Sequence, residues 1–475
     1  MASDQNLTKK SAPRALWSGK MGFVLAAAAS AIGLGNLWRF PYLAAKYGGG
    51  VFLITYIILV CTFGFALMTA ETALGRKTRQ SAIGAFSHFG KKYIIIGILA
   101  SAVPFIITPY YCVIGGWVTK YMVSYITVGA SELGTDAWST FAGFITGTGP
   151  ETFLWMIVFI AVVIVVTALG VKNGIERANK ILMPLLIVMA IGISVYSLTL
   201  PGAIDGLKYY LIPDVSKISI DMVVAAMGQM FFSLSLAMGI MITYGSYFKD
   251  EEDLEKSVRR IEVFDTGIAL LAGFMIIPAS VAILGSADAV AAKAGPKLMF
   301  GTLPEVFAGT GSIASVLGFV FFALVFFAAL TSAISLFETC TSTVQDGAKW
   351  SRTRSIIVCS IFMIVVGIIC NLGYNAWIGI DPMYSLFGIG EYQDNQILDF
   401  MDFISNTILM PVVALLTCIF IGWIIKPKEI ADEVKKSSAF KGEKLFNVMI
   451  KYVAPVFVVL ILVFYVLNTI GIVSL

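Results

Sequence analysis

Charged residues are scarce in this chain: only 13% of its 475 residues are Asp, Glu, Lys or Arg, whereas 58% are hydrophobic. The mean hydropathy is +0.88, so the polar residues are too few to cover the surface of a water-soluble globule. A soluble fold is therefore excluded, and we predict an integral membrane protein.

Histidine and cysteine are also rare. The one histidine, His88, lies in a connector, and the sequence contains no His-Glu-x-x-His motif, Ser-His arrangement, paired catalytic aspartates or phosphate-binding loop. The six cysteines all lie in apolar segments without metal-ligand spacing, which is typical of reduced core residues. We therefore expect neither an enzyme nor a transporter that uses ATP.

Long apolar runs recur along the whole chain, and each could cross about 30 Å of hydrocarbon as a helix. The first is too long, and too soon followed by others, to be a cleaved signal peptide. We predict eleven membrane spans, at Trp17–Ala45, Val51–Leu74, Tyr93–Tyr125, Phe153–Leu169, Ile175–Leu198, Met222–Tyr247, Val258–Leu284, Ile313–Val344, Ser355–Cys370, Ile397–Ile425 and Phe446–Ile470.

Basic residues predict the orientation, because Lys and Arg are retained on the cytoplasmic side of a membrane. An inside amino terminus leaves 25 of the 33 Lys and Arg residues in cytoplasmic segments. The carboxyl terminus would then lie outside a plasma (inner) membrane. Three basic residues fall within or at the ends of spans instead: Arg39, Lys120 and Lys451. The net charge of +4 thus reflects topology and gives no sign of a nucleic-acid partner.

The first and sixth spans contain residues that weaken helices. Gly33 and Gly35 interrupt the first span and are followed by Asn36 and Arg39. Glycines alone could serve close helix packing, but polar and charged groups at this depth usually face an interior pathway. We therefore predict that the helix opens here and exposes peptide groups to a ligand. The matching stretch in the sixth span is Phe232–Gly239.

The two broken spans are five helices apart. Five helices inserted with the opposite starting side repeat the same structure upside down. We therefore expect one transmembrane domain over residues 1–475, with inverted repeats at 17–198 and 222–425 and an extra helix at 446–470.

Four motifs resemble the neurotransmitter:sodium symporter family, in its bacterial amino-acid branch. They are GLGNLWRFPY followed by GGG, GQMFFSLSLAMG followed by ITYGSY, FFAALTSAIS, and PYY. The likeness covers the first ten spans almost in full, and the eleven-span length is similar to that of the bacterial leucine, tyrosine and multi-hydrophobic amino-acid transporters. It implies an all-α bundle of the leucine-transporter type, with unwound helices 1 and 6.

The resemblance implies two sodium ions as cargo. The second sodium site would consist of the carbonyls of Ala29 and Ile32 with Ala328, Thr331 and Ser332, which lie at i, i+3 and i+4 on one helix face. Without the motif, such hydroxyls more often bond back to their own helix.

The first sodium site would comprise the Ala31 carbonyl, Asn36, Ser233 and Asp265, completed by the substrate carboxylate. Asp265 departs from the family, which commonly has asparagine there. The alternative role for Asp265 is a helix-end pair with Arg259 or Arg260.

A chloride ion accompanies sodium in the animal members of the family. The matching positions here are Tyr56, Gln229, Ser233 and Ala269, and Ala269 has lost the hydroxyl. A fixed carboxylate at Asp265 would supply the negative charge and repel chloride. We therefore expect chloride-independent transport.

The substrate pocket implied by the resemblance suits an amino acid with a hydrophobic side chain. Gly33 leaves room for a ligand carboxylate, where amine-transporting relatives carry an aspartate. Met238 is deformable, so aliphatic and aromatic ligands could both fit. The expected substrate-binding residues are Ser30, Ala31, Leu34, Gly35, Ile107, Tyr111, Phe232, Ser233, Ser235, Met238, Ser332 and Leu336.

Further charged residues lie within the spans. By the same resemblance, Arg39 forms an outer gate with Asp402, and Asp399 is the rival partner. Glu71 is expected to bond the opened backbone of helices 1 and 6. Two roles remain open for Glu338: a structural carboxylate, or a proton site for countertransport.

The sequence thus predicts a sodium-coupled symporter of hydrophobic L-amino acids that works by alternating access. The alternative is a transport-inactive amino-acid sensor or a ligand-gated channel on the same fold. We expect a monomer or weak dimer in the lipid bilayer.

Overall fold

A computed structural model describes residues 16–291, 295–387 and 396–469. All regular elements within these ranges are helices, apart from one isolated bridge between Gly49 and Pro213. Some predicted features lie outside the described residues, among them the basic residues Lys9, Lys10, Arg14 and Lys293 and the last predicted membrane residue, Ile470.

The helices follow the predicted spans in order, and we number them 1 to 11. Helices 1 and 6 each consist of two halves. The first five are helix 1 (Lys20–Ala31 and Gly35–Lys46), helix 2 (Gly50–Thr78), helix 3 (Lys91–Thr127), helix 4 (Glu151–Ala168) and helix 5 (Val171–Leu198). The others are helix 6 (Ile220–Ser233 and Ile240–Gly245), helix 7 (Leu254–Leu284), helix 8 (Gly311–Ala348), helix 9 (Arg352–Tyr374), helix 10 (Ile397–Ile424) and helix 11 (Glu443–Phe464).

Nine of these helices, within the described ranges, are long and apolar enough to cross a membrane, and the halves of helix 1, bent by 47°, make up to ten. Helix 6 does not qualify, because its halves have only 14 and 6 residues. The eleventh predicted crossing therefore depends on the two halves of helix 6 acting as one span.

Several helices extend up to four residues beyond the predicted ends, and polar side chains cap two of the extended starts. Helix 7 starts at Leu254, where the Asp253 carboxylate accepts a hydrogen bond from the Lys256 amide at 3.0 Å. Ser351 caps helix 9 in the same way. Hydropathy alone does not detect such capped ends.

Small side chains bring helix 1 into the centre of the bundle. The run Ala26–Ala29 is completely buried, which lets neighbouring helices approach closely. The outer helices instead present apolar side chains outward, as at Leu154 of helix 4 and Val188 of helix 5, which are 58% and 66% exposed. This arrangement suits lipid around the bundle and a polar site inside it.

The connectors rich in Lys and Arg lie at one end of the bundle, which we call the basic end. There, a short helix, Pro427–Lys435, follows helix 10 and packs against helix 2. The Arg76 guanidinium binds the Glu433 carboxylate at 2.8 Å, and both side chains are fully buried. One residue along, Lys77 and Glu429 form a partly exposed pair at 2.5 Å.

The Glu433→Gln substitution should lower the free energy of unfolding by about 3–5 kcal/mol, because it leaves the buried Arg76 charge without its counter-ion. The matched control Glu429→Gln breaks the exposed pair and should change it by less than about 1 kcal/mol. Thermal unfolding of the purified protein in detergent measures both. Equal effects of the two substitutions would contradict a structural role for the buried pair.

Candidate functional site

The break in helix 1 exposes peptide groups in the middle of the bundle. The first half ends at Ala31, and Ile32 adopts extended backbone angles with φ −79° and ψ 102°. The second half begins at Gly35 with wider, π-type turns. The Leu34 amide donates a hydrogen bond to the Tyr111 hydroxyl oxygen at 3.1 Å. Tyr111 of helix 3 therefore replaces the carbonyl partner that this amide would have in an unbroken helix.

The backbone is strained at the break in helix 6. Ser235 and Ala237 have positive φ angles of 53° and 60°, which disfavour residues other than glycine. The Ala237 amide donates to the Glu71 carboxylate at 2.8 Å. The expectation that Glu71 bonds the opened backbone is met at helix 6, because this buried carboxylate compensates a peptide amide that no helix satisfies.

A narrow cavity lies between the two breaks. Eleven of the twelve expected substrate-binding residues line it, and Ser233 does not. Gly33 and Ile240 line it as well. Ile240 was missed because it begins the second half of helix 6, two residues beyond Met238, where the position of the break decides which side chains face inward.

Glycine is required at two positions of the wall. A Cβ atom on Gly33 would lie 2.4 Å from the Ser332 hydroxyl and 2.8 Å from that of Tyr111. A Cβ on Gly35 would lie 2.6 Å from the Phe232 ring. An acidic side chain could fit at position 33 only if the Ser332 and Tyr111 hydroxyls moved.

Hydroxyl groups form one side of the cavity. The Ser335 hydroxyl donates to that of Ser30 at 2.7 Å, and the Ser235 hydroxyl donates to the Ser30 carbonyl at 3.1 Å. Ser335 does not line the cavity, but it lies one helical turn after Ser332 and supports Ser30 from behind. This side can exchange hydrogen bonds with polar groups of a ligand.

Asp265 lies at the centre of a buried hydrogen-bond network. Its Oδ1 accepts from the Ser233 hydroxyl at 2.7 Å and from the Asn36 amide at 2.8 Å, and its Oδ2 accepts from the Tyr56 hydroxyl at 2.8 Å. Asn36, Ser233 and Asp265, three of the four residues expected at the first sodium site, are therefore in direct contact. Arg259, one of the alternative partners considered for Asp265, pairs with Glu262 at 3.2 Å.

Helix 8 brings hydroxyls to the break in helix 1. The Ser332 hydroxyl donates to the Ser30 carbonyl at 2.9 Å and to the Ile32 carbonyl at 3.3 Å. Thr331 donates to the Ala328 carbonyl at 3.1 Å, the back-bond that threonine often makes in a helix. Ala29 is buried in the last turn before the break. The residues expected at the second sodium site thus lie on two facing elements.

A second, wider cavity extends from the first toward the end of the bundle opposite the basic end. The two cavities share Leu34, Tyr111 and Phe232, which form a partition between them. Arg39 and both candidate gate acids, Asp399 and Asp402, line the second cavity.

The contacts of these three charged residues differ. The Arg39 guanidinium lies 5.9 Å from the centre of the Phe232 ring. Asp402 accepts hydrogen bonds from Tyr110 at 2.9 Å and from Asn406 at 2.5 Å, two partners that the sequence analysis did not identify. Asp399 caps the start of helix 10.

Trp17 lies at the basic end of the bundle, where it packs edge-on against Tyr244 and Tyr247 and donates from its indole N–H to the Tyr244 carbonyl at 3.1 Å. Glu338, whose role was left open, binds Arg352 at 2.6 Å and accepts from the Tyr247 hydroxyl at 2.7 Å. Side chains from helices 6, 8 and 9 and the start of the chain therefore interlock on this side.

Two interrupted helices that meet at a buried cavity within a membrane bundle are typical of secondary transporters. The family model of the sodium:neurotransmitter symporter family matches residues 14–140 and 145–472. The chain therefore belongs to this family, and it is a multi-pass membrane protein that transports small substrates with sodium and is not an enzyme.

Individual relatives agree with this assignment. A sodium-dependent transporter of Haemophilus influenzae is 33% identical over 97% of this chain and 100% of its own length. One from Bacillus subtilis is 33% identical over 96% and 98%. The crystal structure of MhsT in complex with L-phenylalanine superposes with a TM-score of 0.82, at 34% identity over 95% of this chain and 99% of that one. The predicted leucine-transporter-type fold is therefore confirmed.

Tyr56→Phe should lower the free energy of unfolding by about 1.5–3 kcal/mol, because a hydrogen bond to the buried Asp265 carboxylate is lost. Tyr125→Phe is the matched control. Its buried hydroxyl has no hydrogen-bond partner among the described residues, so its removal should change the value by less than about 0.5 kcal/mol. Thermal unfolding without ligand measures both; a Tyr56 variant as stable as wild type would refute the importance of this network.

Proposed function

We propose that the protein is a sodium-coupled symporter of hydrophobic L-amino acids that does not require chloride. The observation that carries the proposal is the cavity between the two helix breaks, which has peptide groups and hydroxyls at one side and apolar side chains at the other. An amino acid carries its charges on one end and its apolar group on the other, so its two ends match the two sides.

The apolar side supports a hydrophobic substrate. Ile107, Phe232, Met238 and Leu336 line it, and all four side chains are apolar. MhsT, which shares the fold at 34% identity, was crystallised with L-phenylalanine. With glycine at position 33, the protein has no side-chain carboxylate there, which favours a ligand that brings its own.

Two sodium ions fit the donors that the two candidate sites offer. Sodium is a hard cation that prefers oxygen ligands, and main-chain carbonyls with hydroxyls can supply them. Within the described residues, no group of three His, Cys, Asp or Glu side chains is arranged for a transition metal. Asn36, Ser233 and Asp265 would hold the first ion, and Ile32, Ala328 and Ser332 would take part in the second.

Asp265 supports chloride independence. Its carboxylate already accepts hydrogen bonds from Tyr56, Ser233 and Asn36, so it occupies donors that an anion would need. Gln229 donates instead to the Gly35 carbonyl at 2.9 Å. A chloride ion beside this carboxylate would be repelled.

Coupling follows from shared ligands. The substrate carboxylate would complete the first sodium site, so each ligand strengthens the binding of the other. Sodium and substrate together would favour the state in which Leu34, Tyr111 and Phe232 separate the two cavities. Helices 1, 2, 6 and 7 would then tilt and open the basic end, where Trp17 and the Glu338–Arg352 pair must separate.

Uptake of labelled phenylalanine into proteoliposomes, with the twenty amino acids as competitors, tests the function. We expect uptake only with an inward sodium gradient, and competition by hydrophobic amino acids alone. Counterflow of labelled amino acid separates a transporter from the sensor alternative. Binding without uptake or counterflow would exclude symport.

Replacing chloride with gluconate should leave the initial rate of uptake unchanged, because Asp265 supplies the negative charge. The Asp265→Asn variant removes that charge, so its residual uptake should become stimulated by chloride. Initial rates in the two salts, at equal sodium concentration, measure both effects. A wild-type rate that collapses in gluconate would contradict chloride independence.

Met238→Phe should shift the competition profile toward smaller side chains, because a bulkier ring reduces the cavity volume. The control Met238→Leu conserves side-chain volume and should leave the profile unchanged. Inhibition of uptake by alanine, leucine and tryptophan measures the shift. An unaltered profile in the phenylalanine variant would argue against a pocket role for Met238.

A further inference from the structure

Lys451 places a positive charge within helix 11, close to the end of helix 10. Its ammonium lies 5.3 Å from the centre of the Trp423 ring and 5.1 Å from that of Tyr452. The Trp423 indole N–H donates to the Lys451 carbonyl at 3.1 Å. Aromatic faces attract a cation and hold it in place, but they do not neutralise it.

The acidic residues nearby leave this charge unneutralised. Within the described residues, Lys451 has no ion pair, and neither do Lys426 and Lys444. Lys435 and Lys436, in the same connector, bind Glu443 and Glu433, each at 2.7 Å. Lys428 and Lys441 of the same connector also lack an ion pair within the described residues, so the corner where helix 10 ends and helix 11 begins has an excess of positive charge. A cation next to hydrocarbon is costly unless an anion or water accompanies it.

Two of the lysines lie along helix 11. Lys444 precedes Lys451 by seven residues, which is two helical turns or about 10 Å. Lys426 follows the end of helix 10 by two residues. The helices approach closely here, since a Cβ on Gly422 would lie 3.1 Å from the Lys451 Cα. The positive charge therefore extends from the surface connector to the start of the apolar region.

The surface beside Lys451 is apolar and faces outward. Trp423 and Tyr452 are 58% and 53% exposed, and Val456 and Leu460, further along helix 11, are 58% and 56% exposed. Trp and Tyr are typical of the boundary between headgroups and acyl chains. The corner thus combines a cationic part with an aliphatic part that continues toward the middle of the membrane.

We propose that this corner, formed by Trp423, Lys426, Lys444, Lys451 and Tyr452, binds the phosphate of an anionic phospholipid. The lipid phosphate lies between the three ammonium groups, and an acyl chain lies along Tyr452, Val456 and Leu460. A free phosphate ion would gain nothing from the apolar part and would remain exposed to water, so the lipid is the occupant that uses the whole surface.

Native mass spectrometry of the full-length protein in detergent, titrated with phosphatidylglycerol or phosphatidylcholine, tests the proposal. We expect phosphatidylglycerol to bind more tightly than phosphatidylcholine. Lys451→Met should weaken phosphatidylglycerol binding about fivefold, the usual contribution of one lysine near an anionic membrane surface. Lys451→Arg keeps the charge and should retain most of the affinity.

The matched control is Lys208→Met, an exposed lysine in the connector between helices 5 and 6, which should bind phosphatidylglycerol like wild type. If Lys451→Met does not fold, the double variant Lys426→Met/Lys444→Met, confined to exposed positions, must show the loss. Equal binding of the two lipids, unchanged affinity in the variants, or full competition by millimolar inorganic phosphate would each overturn the proposal.

Discussion

Peptide groups released by a broken helix must find partners inside the membrane, because hydrocarbon offers none. This requirement organises the centre of the bundle. The Ile32 carbonyl meets Ser332 of helix 8, the Leu34 amide meets Tyr111 of helix 3, and the Ala237 amide meets Glu71 of helix 2. Each partner comes from a different helix, so the breaks hold the surrounding helices in register, and the cavity is the space that they enclose.

The same requirement connects architecture with transport. Oxygen atoms that are not used within a helix can bind a cation, and a cation beside the cavity attracts the carboxylate of a zwitterion. In the proposed cycle, sodium and substrate replace partners that the protein otherwise finds within itself. In the proposed cycle, the Asp265 carboxylate, bound by Asn36, Ser233 and Tyr56, takes the place of a second anion besides the substrate.

Much of this could be predicted from the sequence, because bilayer thickness and helix-weakening residues leave clear patterns. The glycines before Asn36 predicted the break in helix 1, and the motifs predicted nearly every residue that lines the cavity. Contacts between distant segments outside these motifs could not be predicted. Nothing in the pattern around Glu338 indicates Arg352, and nothing around Arg76 indicates Glu433, because each pair depends on how connectors fold back onto the bundle. Ser233 faces Asp265 and not the cavity, a matter of side-chain direction at a helix end.

The central claim is that substrate and sodium share ligands at the helix breaks. Equilibrium binding of labelled phenylalanine to the purified protein, measured over a range of sodium concentrations at constant ionic strength with potassium, tests it most directly. The account predicts that the Kd for phenylalanine falls as sodium rises and that potassium cannot replace sodium. Equal affinity in the two salts would contradict the claim.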